Sequence, residues 1–232
     1  MNADAAARWL AEAWESGNPL GPLPEDLAPR SIAEGEEIAA ALVEALGQSV
    51  IGLRVAPGPG GAPLAGPVLE GRLLRDGATI AAAVLRHARV TAAAVGILAE
   101  PLDEMGTGAP VFVAVHPALD IADTRFAIGP ESDALVVADL AGLGHVVAGP
   151  RAPVPDSPVP VALAEGRRRP AGDAVDIMAA LHHAAREARR LGGLPAGAVL
   201  VAAGLSPALI PQAGVAYVAR LGPLGRARVT IG

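Results

Sequence analysis

No cysteine and no lysine occur anywhere in this chain. The first absence excludes disulfides, a thiolate nucleophile and a cysteine metal site. The second removes Schiff-base chemistry and a lysine base, leaving all 18 of the Lys-plus-Arg positions to arginine. Excess positive charge is missing as well: the net charge of -6 offers no basic footprint, so nucleic acid is a poor partner. Long apolar runs are also lacking. The stretch Ala134 to Gly149 is interrupted by Asp139 and by glycines, so no segment would span a bilayer. Asp4 and Glu12 sit where a signal peptide would need an apolar run, and a cytoplasmic protein is expected.

What is present is a chain of 232 residues, 52% hydrophobic, long enough for one sizeable core. Residues 1–30 read as an N-terminal helix and linker and residues 31–232 as the main domain. In the first part, Trp9, Leu10, Ala13 and Trp14 fall at helical spacing, an amphipathic helix that packs on the body or on a neighbouring subunit. Ser31-Ile-Ala-Glu34 is a capping box. It starts a helix to about Leu46 with Ile38, Leu42 and Leu46 inward. Ser49 to Ala56 reads as a strand carrying Arg54. The Gly/Pro-rich Pro57 to Gly66 lacks the lysine and strand-to-helix context of a phosphate loop, so a surface loop or lid is expected.

Strands follow at Pro67 to Leu74 and Ala78 to Val84, joined as a hairpin through Asp76-Gly77. The organising stretches are Val90 to Leu98 and Val111 to Phe126, short β-branched runs between turn signals. Ser132 to Ala141 is ambiguous between helix and strand. Further strands are expected at His145 to Ala148, Val159 to Ala164, Ala198 to Ala203, Ala216 to Leu221 and Arg226 to Ile231. Arg167 to Arg169 reads as a solvated turn. Asp173 to Leu191 is the clearest helix, with Asp173 as N-cap and cations near its C-terminus.

Asp120, Asp123 and Arg125 stand close together in a greasy strand, and charges are seldom buried without partners. Asp123 and Arg125, two apart, are expected to form a structural ion pair, with Asp120 on the opposite face. His116 reads as a loop residue. His87, before the Val90 strand, is a candidate general base. Ser206 lacks the glycines of a nucleophile elbow.

The succession GPVLEGRLL, VTAAAVGIL, HPALDIADTRF, VVADLAGLGHVVAG and the closing GVAYVARLGPLGRARVTIG resembles 2-keto-4-pentenoate hydratases and 4-oxalocrotonate decarboxylases of the fumarylacetoacetate hydrolase superfamily. The resemblance runs from about Pro22 to Ile231, and ALDIADTRF is its most specific part. It implies an α+β fold with a mixed, rolled β-sheet and flanking helices, oligomeric assembly, and Mg2+ held by three carboxylates to polarise a 2-oxo acid. Two of the family's ligand positions fall on Thr91 and Ala93 and the third on Asp120. Arg54 stands where the family has lysine, Leu140 where it has asparagine, and Glu70 near an acidic position.

Two readings follow from the resemblance. As a hydro-lyase or decarboxylase, the protein would anchor a small 2-oxo or 2-hydroxydienoate acid through Arg54 and Arg125. Asp120, Glu70 and His87 would handle protons or a weakly held Mg2+ or Mn2+. Otherwise, with its metal site degenerate, it is a pseudoenzyme: a ligand-binding or partner subunit in a homo-oligomer or a hetero-oligomer with an active homologue. A metal-free isomerase or lyase is a further alternative.

Overall fold

The computed structural model describes residues 2–130 and 132–232. Helix α1 spans Ala3–Ser16, capped by the Asn2 side chain, which accepts from Ala5 N, and ended by Gly17 at φ 68°, a left-handed position that glycine adopts without strain. Leu10 and Ala13 are buried as expected, but Trp9 is 47% exposed. Helix α2 covers Ile32–Leu46. Ser31 Oγ accepts from Glu34 N, and the Glu34 carboxylate accepts from the N–H of Arg30, one residue before the cap, a variant of the capping box. Ile38 and Leu42, one turn apart, bury with Leu10 of α1 in a shared core.

Strands β1 (Val50–Pro57) and β2 (Pro63–Leu69) pair antiparallel. The expected loop or lid over Pro57 to Gly66 is therefore largely a hairpin. Its tip is closed by Gly58 N donating to Ala62 O. The hairpin expected at Asp76-Gly77 is absent. β3 (Leu73–Arg75) pairs in parallel with β7 (Leu143–Ala148), whereas β4 (Ala78–Ile80) pairs in parallel with β12 (Arg226–Ile231). Gly77 does turn the chain at φ 83°, but Asp76 Oδ1 accepts from Arg228 N and Gly77 N donates to Arg228 O. The turn is thus anchored to β12 and passes the chain from one sheet to the other.

The long strands β5 (Arg89–Leu98) and β6 (Phe112–Ala122) are antiparallel, with Thr91 opposite Asp120 and Ala93 opposite Ala118. With β10 (Val199–Ala202) they complete a seven-stranded sheet of order β2-β1-β10-β5-β6-β7-β3. Its two edge strands are separated in sequence only by a single turn at Glu70–Arg72, so the sheet curls on itself. Val68, Ala93, Val95, Ala118, Val146, Val199 and Val201 form a cluster drawn from this sheet alone. All are 0–7% exposed, so the roll covers its own inner face.

The outer face carries the main core, shared with helix α4 (Ile177–Arg190) and a five-stranded sheet of order β4-β12-β11-β8-β9. Here β8 is Val159–Glu165, β9 Asp173–Val175 and β11 Ala216–Leu221. The expected N-cap at Asp173 shifts accordingly, since residues 173–175 pair with β8 and Asp176 caps α4 by accepting from Ala179 N. Ser132 to Ala141 resolves into a short helix α3, Asp133–Ala138, followed by a tight turn. The arginines 167–169 are exposed. Among the described residues no helix is long and apolar enough to cross a membrane.

Candidate functional site

Strand alternation sends Leu53 and Val55 into the outer core, which turns Arg54 between them to the inner face of the roll. Asp120, on β6, faces the same interior. Arg54 Nε and Nη2 donate to Asp120 Oδ1 and Oδ2 at 2.5 and 2.7 Å, with the residues 1% and 2% exposed. The remaining terminal nitrogen, Nη1, donates to the carbonyl of Ala141 at 2.7 Å. Fork-to-fork pairing of this kind is the strongest geometry open to a guanidinium and a carboxylate.

Leu140 and Ala141 both lie in the left-handed region, at φ 53° and 52°. That conformation costs a non-glycine residue about 1–2 kcal/mol, so the segment must be held from outside. Arg54 grips Ala141 from the roll interior. Arg125 grips the other side: its Nε donates to Asp139 Oδ1 at 2.6 Å, Nη1 to Leu143 O at 2.6 Å and Nη2 to Asp139 O at 3.0 Å. Asp139 is fully buried and also accepts from Thr124 Oγ1 and Arg125 N.

The expected Asp123–Arg125 ion pair is therefore replaced by Arg125–Asp139. Arg125 touches Asp123 only through the latter's backbone carbonyl, at 3.3 Å. The Asp123 carboxylate instead accepts the backbone N–H groups of Arg86 and His87. The distant acid wins because a chain reversal through α3 brings Asp139 onto the end of β6. Asp123 and Arg125 lie beyond the end of β6, which stops at Ala122 short of the expected Phe126, and the Asp123 carboxylate is turned to the backbone of residues 86 and 87.

The other candidates divide into two groups. Thr91 lies beside Asp120 in register, but its hydroxyl accepts from Gly204 N at 3.1 Å. Ala93 has no donor atom and is fully buried. Glu70 is exposed on the turn linking β2 and β3, and His87 is exposed at the other end, its Nε2 2.9 Å from Ala127 O. The structure thus joins Arg54, Asp120, Thr91 and Ala93 at the roll and leaves Glu70 and His87 on the surface. His116 is a residue of β6, not of a loop, with Nδ1 2.9 Å from Gly149 O.

A second feature joins Trp14, Asp123 and Arg125 to residues that the sequence reading passed over. A cavity of about 350 Å3 opens between α1, residues 83–86 and β7, lined among others by Trp14, Arg72, Arg86, Asp123, Arg125 and His145. The guanidinium carbons of Arg72 and Arg125 lie 4.3 and 4.2 Å from the Trp14 ring centroid, within cation–π range. Burial, then repulsion from Arg125, lowers the Arg72 pKa to about 10. Burial first, then Arg72 and Arg125, lowers that of His145 to about 4, so the imidazole is neutral at pH 7. Its Nε2 lies 3.3 Å from Arg72 Nη1. The sequence singles out Trp14, Asp123 and Arg125, but gives no sign that Arg72, Arg86 or His145 joins them.

In architecture the chain is similar to 4-oxalocrotonate decarboxylase from Pseudomonas putida G7, in its complex with magnesium and adipate. The TM-score is 0.82 at 19% identity, covering 99% of this chain and 97% of that one. The same enzyme complexed with calcium and acetate gives 0.81 at 19% identity, with coverage of 99% and 97%. 5-Carboxymethyl-2-hydroxymuconate delta-isomerase from Mycobacterium smegmatis matches with a TM-score of 0.58 at 10% identity, over 79% of this chain and 80% of that one. No protein-family model matches the sequence, and no curated protein matches it significantly. The α+β roll is thus the fold that the sequence resemblance implied.

Proposed function

We propose that this chain is a hydratase-like protein of the fumarylacetoacetate hydrolase superfamily that binds a small 2-oxo or 2-hydroxydienoate acid without the usual Mg2+ centre. It would serve as a ligand-binding or partner subunit and not as a metal-dependent hydro-lyase or decarboxylase. The observation that carries this reading is the Arg54–Asp120 pair. The Asp120 position is the one carboxylate left of the three implied by the resemblance, and both its oxygens accept from a guanidinium at 2.5 and 2.7 Å. Mg2+ requires near-octahedral oxygen ligands, commonly with one or two carboxylates. Here the neighbouring donors reduce to the Thr91 hydroxyl, already bonded to Gly204 N, and among the described residues no group of three His, Asp or Glu side chains is placed to hold a metal. The donor set does not fit the ion.

A fixed positive charge at the same carboxylate offers a physical reason for the loss of the metal ligands. The guanidinium neutralises Asp120 inside an apolar roll, and a second, divalent cation there would be repelled at close range. Arg54 and Arg125 each spend three of their nitrogens on protein acceptors, so in this reading neither is a free carboxylate anchor. Glu70 and His87 remain solvent-facing.

The test is calorimetric titration of chelator-treated protein with Mg2+ and with Mn2+, in the absence and presence of oxalate. No saturable heat is expected in either case beyond that of metal–oxalate chelation measured without protein. Stoichiometric binding, or Mg2+-dependent turnover of a 2-hydroxydienoate, would restore the enzyme reading.

A further inference from the structure

The five-stranded sheet turns one of its faces to the main core. Ala219 and Leu221 of β11 and Ala227 and Val229 of β12 point into that core, so strand alternation puts Arg220 of β11 and Arg226 and Arg228 of β12 on the outer face. Arg220 and Arg226 are direct register partners. Like charges set opposite each other on neighbouring strands are destabilising. None of the three arginines has a carboxylate within ion-pair distance among the described residues. In a chain whose net charge is -6, such a concentration of uncompensated positive charge calls for an anion.

Arg220 and Arg226 also line one cavity, of about 530 Å3, at the β11–β12 turn. Small-molecule sites occupy roughly 300–1,000 Å3. The wall opposite is formed by Pro160 and Ala162 of β8 and by Pro170 of the loop from β8 to β9, and no acidic side chain lines the space. Acids on the adjoining segments are engaged or turned away. Glu165 pairs with Arg168, the Asp76 carboxylate accepts from Arg228 N, and Asp173 stands opposite Val161 on the core-facing side. The loop that supplies Pro170 also carries the exposed Arg167 and Arg169. A concave site lined by charge of one sign, with low-dielectric walls, concentrates counter-ions. Water hydrates each guanidinium, but only an anion cancels the charge between them.

The number of guanidiniums selects the kind of anion. One fork already saturates both oxygens of a carboxylate, as Arg54 does for Asp120. Two forks at one cavity suit an anion with more charge and more oxygens. A phosphate monoester carries about -1.5 to -2 charges at pH 7 and three acceptor oxygens, and the arginine fork matches phosphate geometry. We infer that this cavity is a binding site for a dianionic phosphoryl group, held between Arg220 and Arg226. Neither Arg54 nor Asp120 lines it. The site therefore stands apart from the roll interior, and its fate is separate from that of the metal titration.

Inorganic phosphate, phenyl phosphate and acetate would each be titrated calorimetrically into the protein at about pH 8 and low salt, where the phosphoryl groups are dianionic. Saturable binding of a phosphoryl compound is expected, at least tenfold tighter than that of acetate. Arg220→Gln and Arg226→Gln should each weaken it at least tenfold. Arg228→Gln, on the same face but outside the cavity, should bind as the parent does. Phosphate should also raise the thermal midpoint of the parent and not that of either cavity variant. Arg226 is exposed, so its replacement keeps the test decisive if Arg220→Gln does not fold. Tighter binding of phenyl phosphate would assign the site to an ester whose body rests on Pro160 and Pro170, and tighter binding of the inorganic ion would assign it to free phosphate. The inference is overturned if neither phosphoryl compound gives saturable heat, if acetate binds as tightly, if the cavity variants bind as the parent does, or if Arg228→Gln weakens binding as much as they do.

Discussion

Arg54 and Asp120 meet across the interior of the roll, 66 residues apart in sequence, with both carboxylate oxygens in contact with one guanidinium. The pair is almost completely buried. Both charges have left water, so their mutual attraction has to offset two desolvation costs. Removing one member is then far worse than removing both.

Asp120→Asn should lower stability by about 3–5 kcal/mol, because it strands the Arg54 charge in an apolar interior. The double replacement Arg54→Met with Asp120→Leu should recover most of that loss. Urea midpoints of the parent, Arg54→Met, Asp120→Leu and the double variant form the cycle that measures the coupling. A coupling near zero would mean that the pair is open in solution.

Asp139 accepts from Thr124 Oγ1, Arg125 N and Arg125 Nε. Asp139→Asn replaces one acceptor oxygen by an amide NH2, itself a donor, facing those donors, and should cost about 3–5 kcal/mol by the same buried-charge argument. Since Arg125 stacks on Trp14, the variant should also shift the Trp14 emission. Stability loss with an unchanged spectrum would separate the clamp from the helix above it.

Gly52 stands beside Val199 in the parallel β1–β10 pair. A methyl group added there would sit 1.9 Å from the Val199 carbonyl oxygen, a backbone atom that cannot rotate away. Gly52→Ala should therefore destabilise the protein by about 1–3 kcal/mol or more, as overpacking does. Thermal unfolding of the variant checks this. A wild-type midpoint would imply that the two strands are farther apart.

His145 is held at a pKa of about 4 in the fold, against about 6.5 in an unfolded chain. Between those values the unfolded state binds the extra proton, so stability falls as pH drops through this window and is fully present above about 6.5. With the ring only partly buried, the contribution should be on the order of 1–2 kcal/mol. His145→Phe should flatten the difference between urea midpoints at pH 7 and pH 4.5. An unchanged slope would assign the acid sensitivity to other groups.

The local elements were legible because they rest on local rules. Ser31 and Glu34 stop α2 at its start, the β-branched runs of β5 and β6 mark their strands, and ALDIADTRF carries the family resemblance. Where an element depends on who lies next to it, the sequence was mute. Asp76-Gly77 is a good turn by composition, but whether it closes a hairpin depends on β7 and β12 offering parallel partners from more than 60 residues away. Asp173 satisfies the chemistry of an N-cap, but strand pairing with Val161 claimed it first.

By itself the sequence determined the residue types available: arginine at every Lys-or-Arg position, no cysteine, and side chains without a carboxylate at Thr91 and Ala93. It also set Asp120 on the strand face opposite Asp123 and Arg125, since alternation is a property of one strand. Only the tertiary structure decided the partners. Charge pairing depends on distances of a few ångströms between residues far apart in the chain, and these distances are set by how the sheet closes. That closure gave Asp120 to Arg54, and the chain reversal through α3 gave Arg125 to Asp139.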